Sequence, residues 1–193
     1  MIIKELIKEE IQNSILTKQR LMADDSLIDK IEILAKKCLK VLKNSGKIIF
    51  CGNGGSFADA QHLTAEFVSR LRFDRAPLPS IALGTNNSNL TAIANDYGYE
   101  KVFRRELEAI ASVNDLFIPI STSGNSSNVI EAIDFAIEKG IDVFGLTGRN
   151  GGKMGQICNQ INVPSEETEK IQEVHIMLGH IVCFLVEKSS FKI

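Results

Sequence analysis

Short apolar segments that alternate with helical patterns constrain this fold more than any other feature of the sequence. Runs of four to six residues rich in Ile, Leu, Val and Phe are typical of buried strands. Five such runs lie at 47–51, 80–83, 115–120, 141–146 and 160–163. Because helical patterns separate them, consecutive strands are expected to be parallel. The sequence therefore predicts an α/β fold with a doubly wound, five-stranded parallel sheet flanked by helices.

Two helical patterns precede the first strand. Residues 2–22 predict an amphipathic helix whose apolar side would face inward, with Ile3, Ile7, Ile11, Ile15 and Leu16. A second helix is expected between the capping side chains at 24–26 and Gly46, where the glycine would end it. Two helices cannot cover a sheet face by themselves, so they are also candidates for packing against another subunit.

Length and charge limit the kinds of partner. The chain has 193 residues and a formal net charge of −2, which favours one domain and excludes the basic surface of a nucleic-acid binder. The charged N-terminus is unlike a signal peptide, and no apolar run approaches the roughly 20 residues that span a bilayer. We expect a cytoplasmic protein without a membrane or nucleic-acid partner. The extension would cover 1–45 and the α/β core 46–193.

The four cysteines do not point to chemistry. No two of them form a CxxC spacing, so a zinc ribbon or a thioredoxin-like site is not expected. Most have apolar neighbours in helical or strand patterns, which predicts buried, reduced thiols. They are Cys38, Cys51, Cys158 and Cys183.

The segment 121–126, here called the serine loop, joins the third strand to a helix. It contains four hydroxyl residues, Ser121, Thr122, Ser123 and Ser126. Gly124 permits backbone conformations closed to other residues, and Ser126 could cap the helix. An ordinary turn rich in capping residues is the alternative, but four hydroxyls exceed what one cap needs. With the free N–H groups of the helix N-terminus, the loop predicts a phosphate site.

The segment 52–56, here called the glycine loop, follows the first strand. Gly52-Asn53-Gly54 fits half of a dinucleotide-binding motif, but Phe57 occupies the position of the third glycine. A dinucleotide site is therefore disfavoured. The loop better suits the close approach of a small ligand, with Asn53 and Ser56 facing it.

Two helices carry candidate acid–base or metal-binding side chains. His62 and Glu66 are four residues apart and so share one helix face, as either a functional pair or a solvated surface pair. The last helix, 168–187, carries Gln172, His175 and His180. Gln172 and His180 are separated by about 12 Å along the axis. Spacing alone does not choose between the two histidines.

Read together, these segments resemble the SIS (sugar isomerase) domain family and, within it, the phosphoheptose isomerases. The resemblance covers most of the chain in family order. It rests on 51–56, 59–62, Glu66, 94–98, 120–126, 146–153 and 171–175, together with Gln172 and His180.

The resemblance implies conversion of sedoheptulose 7-phosphate to D-glycero-D-manno-heptose 7-phosphate through an enediol, toward bacterial surface polysaccharide. It implies a homotetramer with active sites at subunit interfaces. Glu66 and His180 match the catalytic acid–base pair, and His62, Glu66, Gln172 and His180 match a zinc site, one ion per subunit. The matches to substrate-binding positions are Asn53, Gly54, Ser56, Arg70, Asp96, Ser121, Thr122, Ser123, Ser126, Glu169 and Gln172.

One departure and two other functions remain open at this point. Lys170 stands where relatives often have Arg, and Lys cannot make the bidentate contact of Arg. A non-catalytic SIS module, binding a sugar phosphate or regulating replication, would not need a paired Glu66 and His180. An isomerase of a shorter sugar phosphate would share the same loops. Gln172 and His180 could reach one ion most easily from two subunits.

Overall fold

The computed structural model describes residues 2–191, and its helices and strands alternate as predicted after two N-terminal helices. The helices are α1 (Ile3–Met22), α2 (Asp25–Lys43), α3 (Gly55–Val68), α4 (Asn87–Tyr97), α5 (Val102–Ile110), α6 (Ser127–Glu138), α7 (Met154–Ile157) and α8 (Thr168–Phe191), with a 3₁₀ turn at Tyr99–Lys101. The strands are β1 (Ile48–Gly52), β2 (Ser80–Ala82), β3 (Leu116–Ser121), β4 (Asp142–Gly148) and β5 (Asn159–Val163).

The five strands form one parallel sheet in the order β2-β1-β3-β4-β5. The chain leaves β1 toward one edge and returns to place β3 on the other side of β1. The doubly wound parallel sheet is therefore confirmed. Ligands of such sheets bind at this change of direction, beyond the carboxyl ends of the strands. The register pairs Gly52 with Ile120, which sets the glycine loop beside the serine loop.

Helices cover both faces of the sheet, and each face has its own apolar core. One core joins the sheet to α2, α3 and α8, and the other joins it to α5 and α6. By length and composition alone, α8 is long and apolar enough to cross a membrane. The core helices of soluble proteins share these properties, and α8 packs against α2, α3 and β4.

The structure corrects two predictions about the N-terminal helices. Gly46 does not end α2, because the left-handed residue after this helix is Ser45, with φ 61°. Gly46 is needed for space, since a Cβ there would lie 2.0 Å from the carbonyl oxygen of Asn114. The predicted inward side of α1 is exposed, because α1 packs against α2 and α8 through other residues, with Thr17 and Leu21 buried. The exposed residues are Ile3, Ile7, Ile11, Ile15 and Leu16.

A buried ion pair fixes the chain after α3. Arg75 Nε lies 2.9 Å from Glu187 Oε1, and both side chains are almost fully buried. Glu187 also accepts the backbone N–H groups of Leu71 and Arg72, while Arg75 donates to the carbonyl oxygen of Glu66. Burial alone would raise the pKa of Glu187, but these hydrogen bonds and the guanidinium outweigh it and lower the pKa. The pair thus ties α8 to the end of α3.

Breaking this pair should destabilise the fold. Arg75→Met keeps much of the volume but leaves the Glu187 carboxylate buried without its cation, so the free energy of unfolding should fall by about 3–5 kcal/mol. Chemical denaturation measures it. Lys36→Ala removes an exposed pair with Glu32 and serves as the control, with an expected change below about 1 kcal/mol. Equal, small effects of the two substitutions would contradict the role of the buried pair.

Candidate active site

The helices α3 and α8 run side by side in the same direction. Near their N-termini, Gln172 contacts Gly55, and further along Gly179 contacts Leu63. Beyond the end of α3, Glu187 accepts from the N–H of Leu71. The helix α3 therefore begins at the glycine loop beside the first turns of α8, and the two helices stay in contact over several turns.

Gly179 lets these two helices approach closely. A Cβ at Gly179 would lie 2.3 Å from Cδ2 of Leu63, whose side chain is fully buried. Only glycine fits this position without a shift of the core. His180 follows Gly179 directly, so the close approach of the helices places its imidazole next to α3. Sequence reasoning missed this role, although a glycine within an apolar helix is a sign of close packing.

His62, Glu66 and His180 form a cluster within one chain, here called the histidine–glutamate cluster. The Nε2 atoms of His62 and His180 are 2.9 Å apart, and Nε2 of His62 is 3.2 Å from Oε1 of Glu66. The imidazole rings meet at 78°. The His62 side chain is half exposed, whereas that of Glu66 is only 17% exposed. The cluster confirms that His62 and Glu66 share a face, and it adds His180 to them.

The geometry of the cluster suits a metal ion. One nitrogen or oxygen atom from each of its three residues lies within 4.8 Å of the others. A tetrahedral metal with ligand bonds of about 2.0–2.1 Å holds its donors about 3.3 Å apart, close to the two distances above. Imidazole nitrogens with one carboxylate oxygen are donors that zinc accepts. These three residues could therefore hold a metal ion.

Gln172 lies outside the histidine–glutamate cluster. Its side-chain amide contacts the backbone at Gly55, at the start of α3. On α8 it is eight residues before His180, which corresponds to about 12 Å. Within one chain, Gln172 therefore lies near the start of the α3–α8 contact, and His180 lies about two turns further along it.

The conformation of the serine loop is fixed by contacts with neighbouring backbone. Gly124 has φ 64°, and a Cβ there would lie 2.1 Å from the carbonyl oxygen of Gly151. The N–H of Gly148 donates to the carbonyl of Thr122, and the N–H of Met154 donates to that of Gly124. The segment after β4 thus fixes the loop from one side. The conformation predicted for Gly124 is confirmed.

The expected side-chain cap by Ser126 is wrong. Ser126 does occupy the N-cap position of α6, but its side chain makes no capping hydrogen bond. Its hydroxyl lies 3.1 Å from the hydroxyl of Ser121 instead. The first N–H groups of α6 are therefore not taken by the side chain of Ser126. The hydroxyl pair thus lies at the N-terminus of α6, with Ser121 buried and Ser126 partly exposed.

His175 and His180, which spacing could not separate, have different environments. His175 is fully buried and its Nε2 lies 3.2 Å from the carbonyl oxygen of Thr147. Burial lowers the pKa of His175 to about 4, so its imidazole is neutral at pH 7. It supports the end of β4 behind the serine loop. Only His180 reaches the histidine–glutamate cluster.

The glycine loop differs in part from the prediction. Ser56 is almost fully buried, where α3 packs against Gly52, instead of facing the crevice. A Cβ at Gly54 would meet open space, although its φ of 55° favours glycine. Asn53 exchanges hydrogen bonds with Asn128 and accepts one from Tyr99. Neither partner was expected from the sequence.

The remaining predicted residues are more scattered. Arg70, Asp96 and Glu169 are exposed, and within residues 2–191 no hydrogen bond joins any of them to the histidine–glutamate cluster. Lys170 is almost fully buried and pairs with Glu10 of α1 at 3.0 Å. It therefore joins the N-terminal extension to α8. The four cysteines are free, and Cys38, Cys51 and Cys183 are buried as expected.

Known proteins are similar to this chain over most of its length. A family model described as SIS domain matches residues 12–148. A phosphoheptose isomerase of Aneurinibacillus thermoaerophilus is 54% identical, and the match covers 97% of this chain and 96% of that relative. A solved phosphoheptose isomerase from Neisseria gonorrhoeae is 40% identical with a TM-score of 0.90, covering 97% of this chain and all of that chain. One from Francisella tularensis is 32% identical, with a TM-score of 0.93 at the same coverage.

Enlarging Gly179 should disturb the histidine–glutamate cluster. Gly179→Ala places a methyl group against the buried Leu63, so the leucine side chain or the helices must shift and the free energy of unfolding should fall by about 1–3 kcal/mol. Zinc binding, measured by calorimetry, should weaken as the cluster opens. Adding Leu63→Ala makes room and should restore part of the binding. Tight zinc binding by Gly179→Ala alone would show that the close approach is not required.

Proposed function

Because the chain belongs to the SIS domain family and, within it, to the phosphoheptose isomerases, we propose that it interconverts sedoheptulose 7-phosphate and D-glycero-D-manno-heptose 7-phosphate. The reaction moves a proton between neighbouring carbons of the sugar and supplies heptose for bacterial surface polysaccharide. The observation that carries the proposal is the meeting of Glu66 and His180 in one cluster. A protein that only binds a sugar phosphate has no need of such a pair.

The substrate would be anchored by its phosphate. The hydroxyls of the serine loop and the free N–H groups of α6 offer neutral donors to a phosphate group. The sugar would extend from there past the glycine loop toward the histidine–glutamate cluster. We assign the phosphate to Ser121, Thr122, Ser123 and Ser126, and the sugar to Asn53, Gly54, Arg70, Asp96, Glu169 and Gln172. The side chain of Ser56 is buried and is not assigned to the sugar. Residues distant from the cluster within one chain would act in a neighbouring subunit's site.

Glu66 and His180 would divide the chemistry between them. An aldose–ketose isomerisation needs a base at carbon and an acid at oxygen, with an enediol between the two states. Glu66 would remove the proton from the carbon beside the carbonyl group. His180 would give a proton to the carbonyl oxygen as the general acid. The same two groups, with roles exchanged, would complete the transfer.

The cluster also suits zinc. We propose that His62, Glu66 and His180 of one subunit hold one zinc ion, with Gln172 supplied by a neighbouring subunit. When bound, zinc would polarise the sugar carbonyl group. A carboxylate has two oxygen atoms, so Glu66 can offer one to the ion and the other to the proton. His180 can act as acid only when it is free of the ion.

An exposed apolar surface supports assembly into a homotetramer. Besides one side of α1, a groove of about 390 Å³ lies between α1, α2 and α8. A second groove of about 480 Å³ extends along α8 to His180. Both grooves contain Met177 and Ile181, so the apolar surface is continuous with the histidine–glutamate cluster. A second copy of the chain covering this surface would bring its own residues to the site. A cytoplasmic location remains a prediction.

Replacing either acid–base residue should abolish most turnover. Glu66→Gln and His180→Gln keep size and hydrogen bonding but remove the titrating group, so each should lower kcat by on the order of 10²-fold or more. An NMR assay with sedoheptulose 7-phosphate measures it, and circular dichroism confirms folding. Lys36→Ala serves as the control. Near-normal turnover in either variant would remove that residue from the mechanism.

Subunit mixing should reveal which chain supplies each residue. Glu66 and His180 lie in one cluster of one chain, so mixing Glu66→Gln with His180→Gln should not restore activity. Gln172 would come from a neighbour, so mixing Glu66→Gln with an inactive Gln172→Ala protein should restore part of it. Activity after proven subunit exchange tests both. Recovery in the first mixture would contradict the placement of Glu66 and His180 in one chain. No recovery in the second mixture, or full activity of Gln172→Ala alone, would contradict the shared site.

A further inference from the structure

Asn53 and Asn128 form a closed pair of side-chain amides across the crevice. Nδ2 of Asn53 donates to Oδ1 of Asn128 at 2.9 Å, and Nδ2 of Asn128 donates back to Oδ1 of Asn53 at 2.9 Å. Asn53 belongs to the glycine loop after β1, whereas Asn128 lies in the first turn of α6, directly after the serine loop. Asn128 is only 2% exposed. The pair therefore joins the two loops at the change of strand order.

The hydrogen bonds of Asn53 leave one N–H group of its side-chain amide available to a ligand. Its Oδ1 also accepts the hydroxyl of Tyr99 at 3.0 Å, so both acceptor positions of this oxygen are used. One of the two N–H groups on Nδ2 is committed to Asn128. The other N–H remains, and Asn53 is only partly buried. As a ligand-binding side chain, Asn53 is therefore restricted to donating.

An amide pair with one buried partner resists displacement. If the loops moved apart, the buried amide of Asn128 would be left unpaired, at a cost of about 1–3 kcal/mol. The phosphate site at the serine loop and the sugar site at the glycine loop are thus held at a fixed separation. Such separation matters for catalysis, because a misplacement of about 1 Å can cost about 10²-fold in rate.

We propose that Asn128 is a positioning residue that fixes the glycine loop relative to the phosphate anchor, and that it makes Asn53 a donor toward a hydroxyl or carbonyl oxygen of the bound sugar. Asn128 touches no substrate in this arrangement and acts through Asn53. The hydroxyl of Tyr99 donates to the remaining acceptor position of Asn53 Oδ1, so this oxygen is not available to the sugar. The inference rests on the proposed isomerase function and deepens it.

The test compares sugar turnover with binding of inorganic phosphate. Asn128→Ala should lower kcat/KM for sedoheptulose 7-phosphate by about tenfold or more. The inhibition constant for inorganic phosphate should change by less than about twofold, because the serine-loop hydroxyls and the N–H groups of α6 remain. Asn53→Ala combined with Asn128→Ala should be no worse than Asn53→Ala alone, since both act through one contact. The exposed Asn159→Ala is the control for substitution of an asparagine.

Three results would overturn the positioning role in an active wild-type enzyme. They are turnover by Asn128→Ala within twofold of wild type, additive losses in the double variant, and a rise in the phosphate inhibition constant parallel to the loss of activity. If Asn128→Ala does not fold, Asn128→Asp replaces it, since it keeps the size but cannot donate to Asn53. Full activity of Asn128→Asp would also overturn the role. A wild-type protein inactive on the sugar would instead reject the proposed function.

Discussion

The close approach of α3 and α8 at Gly179 and Leu63 is the contact on which the candidate site depends. Without a Cβ at Gly179, the two helices pack near enough for His180 to reach His62 and Glu66. The same pair of helices is fixed at one end by Gln172 against Gly55 and beyond the other by Glu187 against the chain after α3. The histidine–glutamate cluster lies between these two fixed points, on rigid elements and not on loops.

Sheet topology supplies the second half of the site. Because β1 and β3 are neighbours, the glycine loop and the serine loop face each other across the change of strand order. The serine loop offers neutral hydroxyls at a helix N-terminus. A phosphate held in this way needs no excess of basic side chains, in agreement with the net charge of −2. Since α3 begins at the glycine loop, the histidine–glutamate cluster lies about 10 Å further along that helix, at His62. One end of the crevice thus suits an anion and the other suits acid–base or metal chemistry.

Much of this arrangement could be predicted from the sequence, because strand order and loop chemistry depend on local patterns. The alternation of apolar segments predicts the sheet, and the hydroxyls and Gly124 predict the serine loop. Contacts between segments that are far apart in the sequence are harder to predict. Nothing local indicates that Asn128 pairs with Asn53, or that Ser126 binds Ser121 in place of capping α6.

Patterns of apolarity also failed where the apolar face is not covered within the single chain. The apolar side of α1 reads as a core face, yet it is exposed in the single chain. An amphipathic pattern indicates an apolar helix face, but it does not identify what packs against that face. Likewise, the spacing of Gln172 and His180 showed that one helix cannot easily bring both to one ion. It could not show that His180, not Gln172, would join His62 and Glu66 within one chain.

The most direct test of the account is NMR of sedoheptulose 7-phosphate incubated with the protein in D₂O. Removal of a carbon-bound proton by Glu66 and its return through an enediol predict conversion to D-glycero-D-manno-heptose 7-phosphate, with deuterium at carbon 2 in at least part of the product. Glu66→Gln should lose both conversion and exchange. An unchanged spectrum, with the sugar phosphate bound but its carbon-bound protons retained, would contradict the account and favour a protein that only binds its ligand.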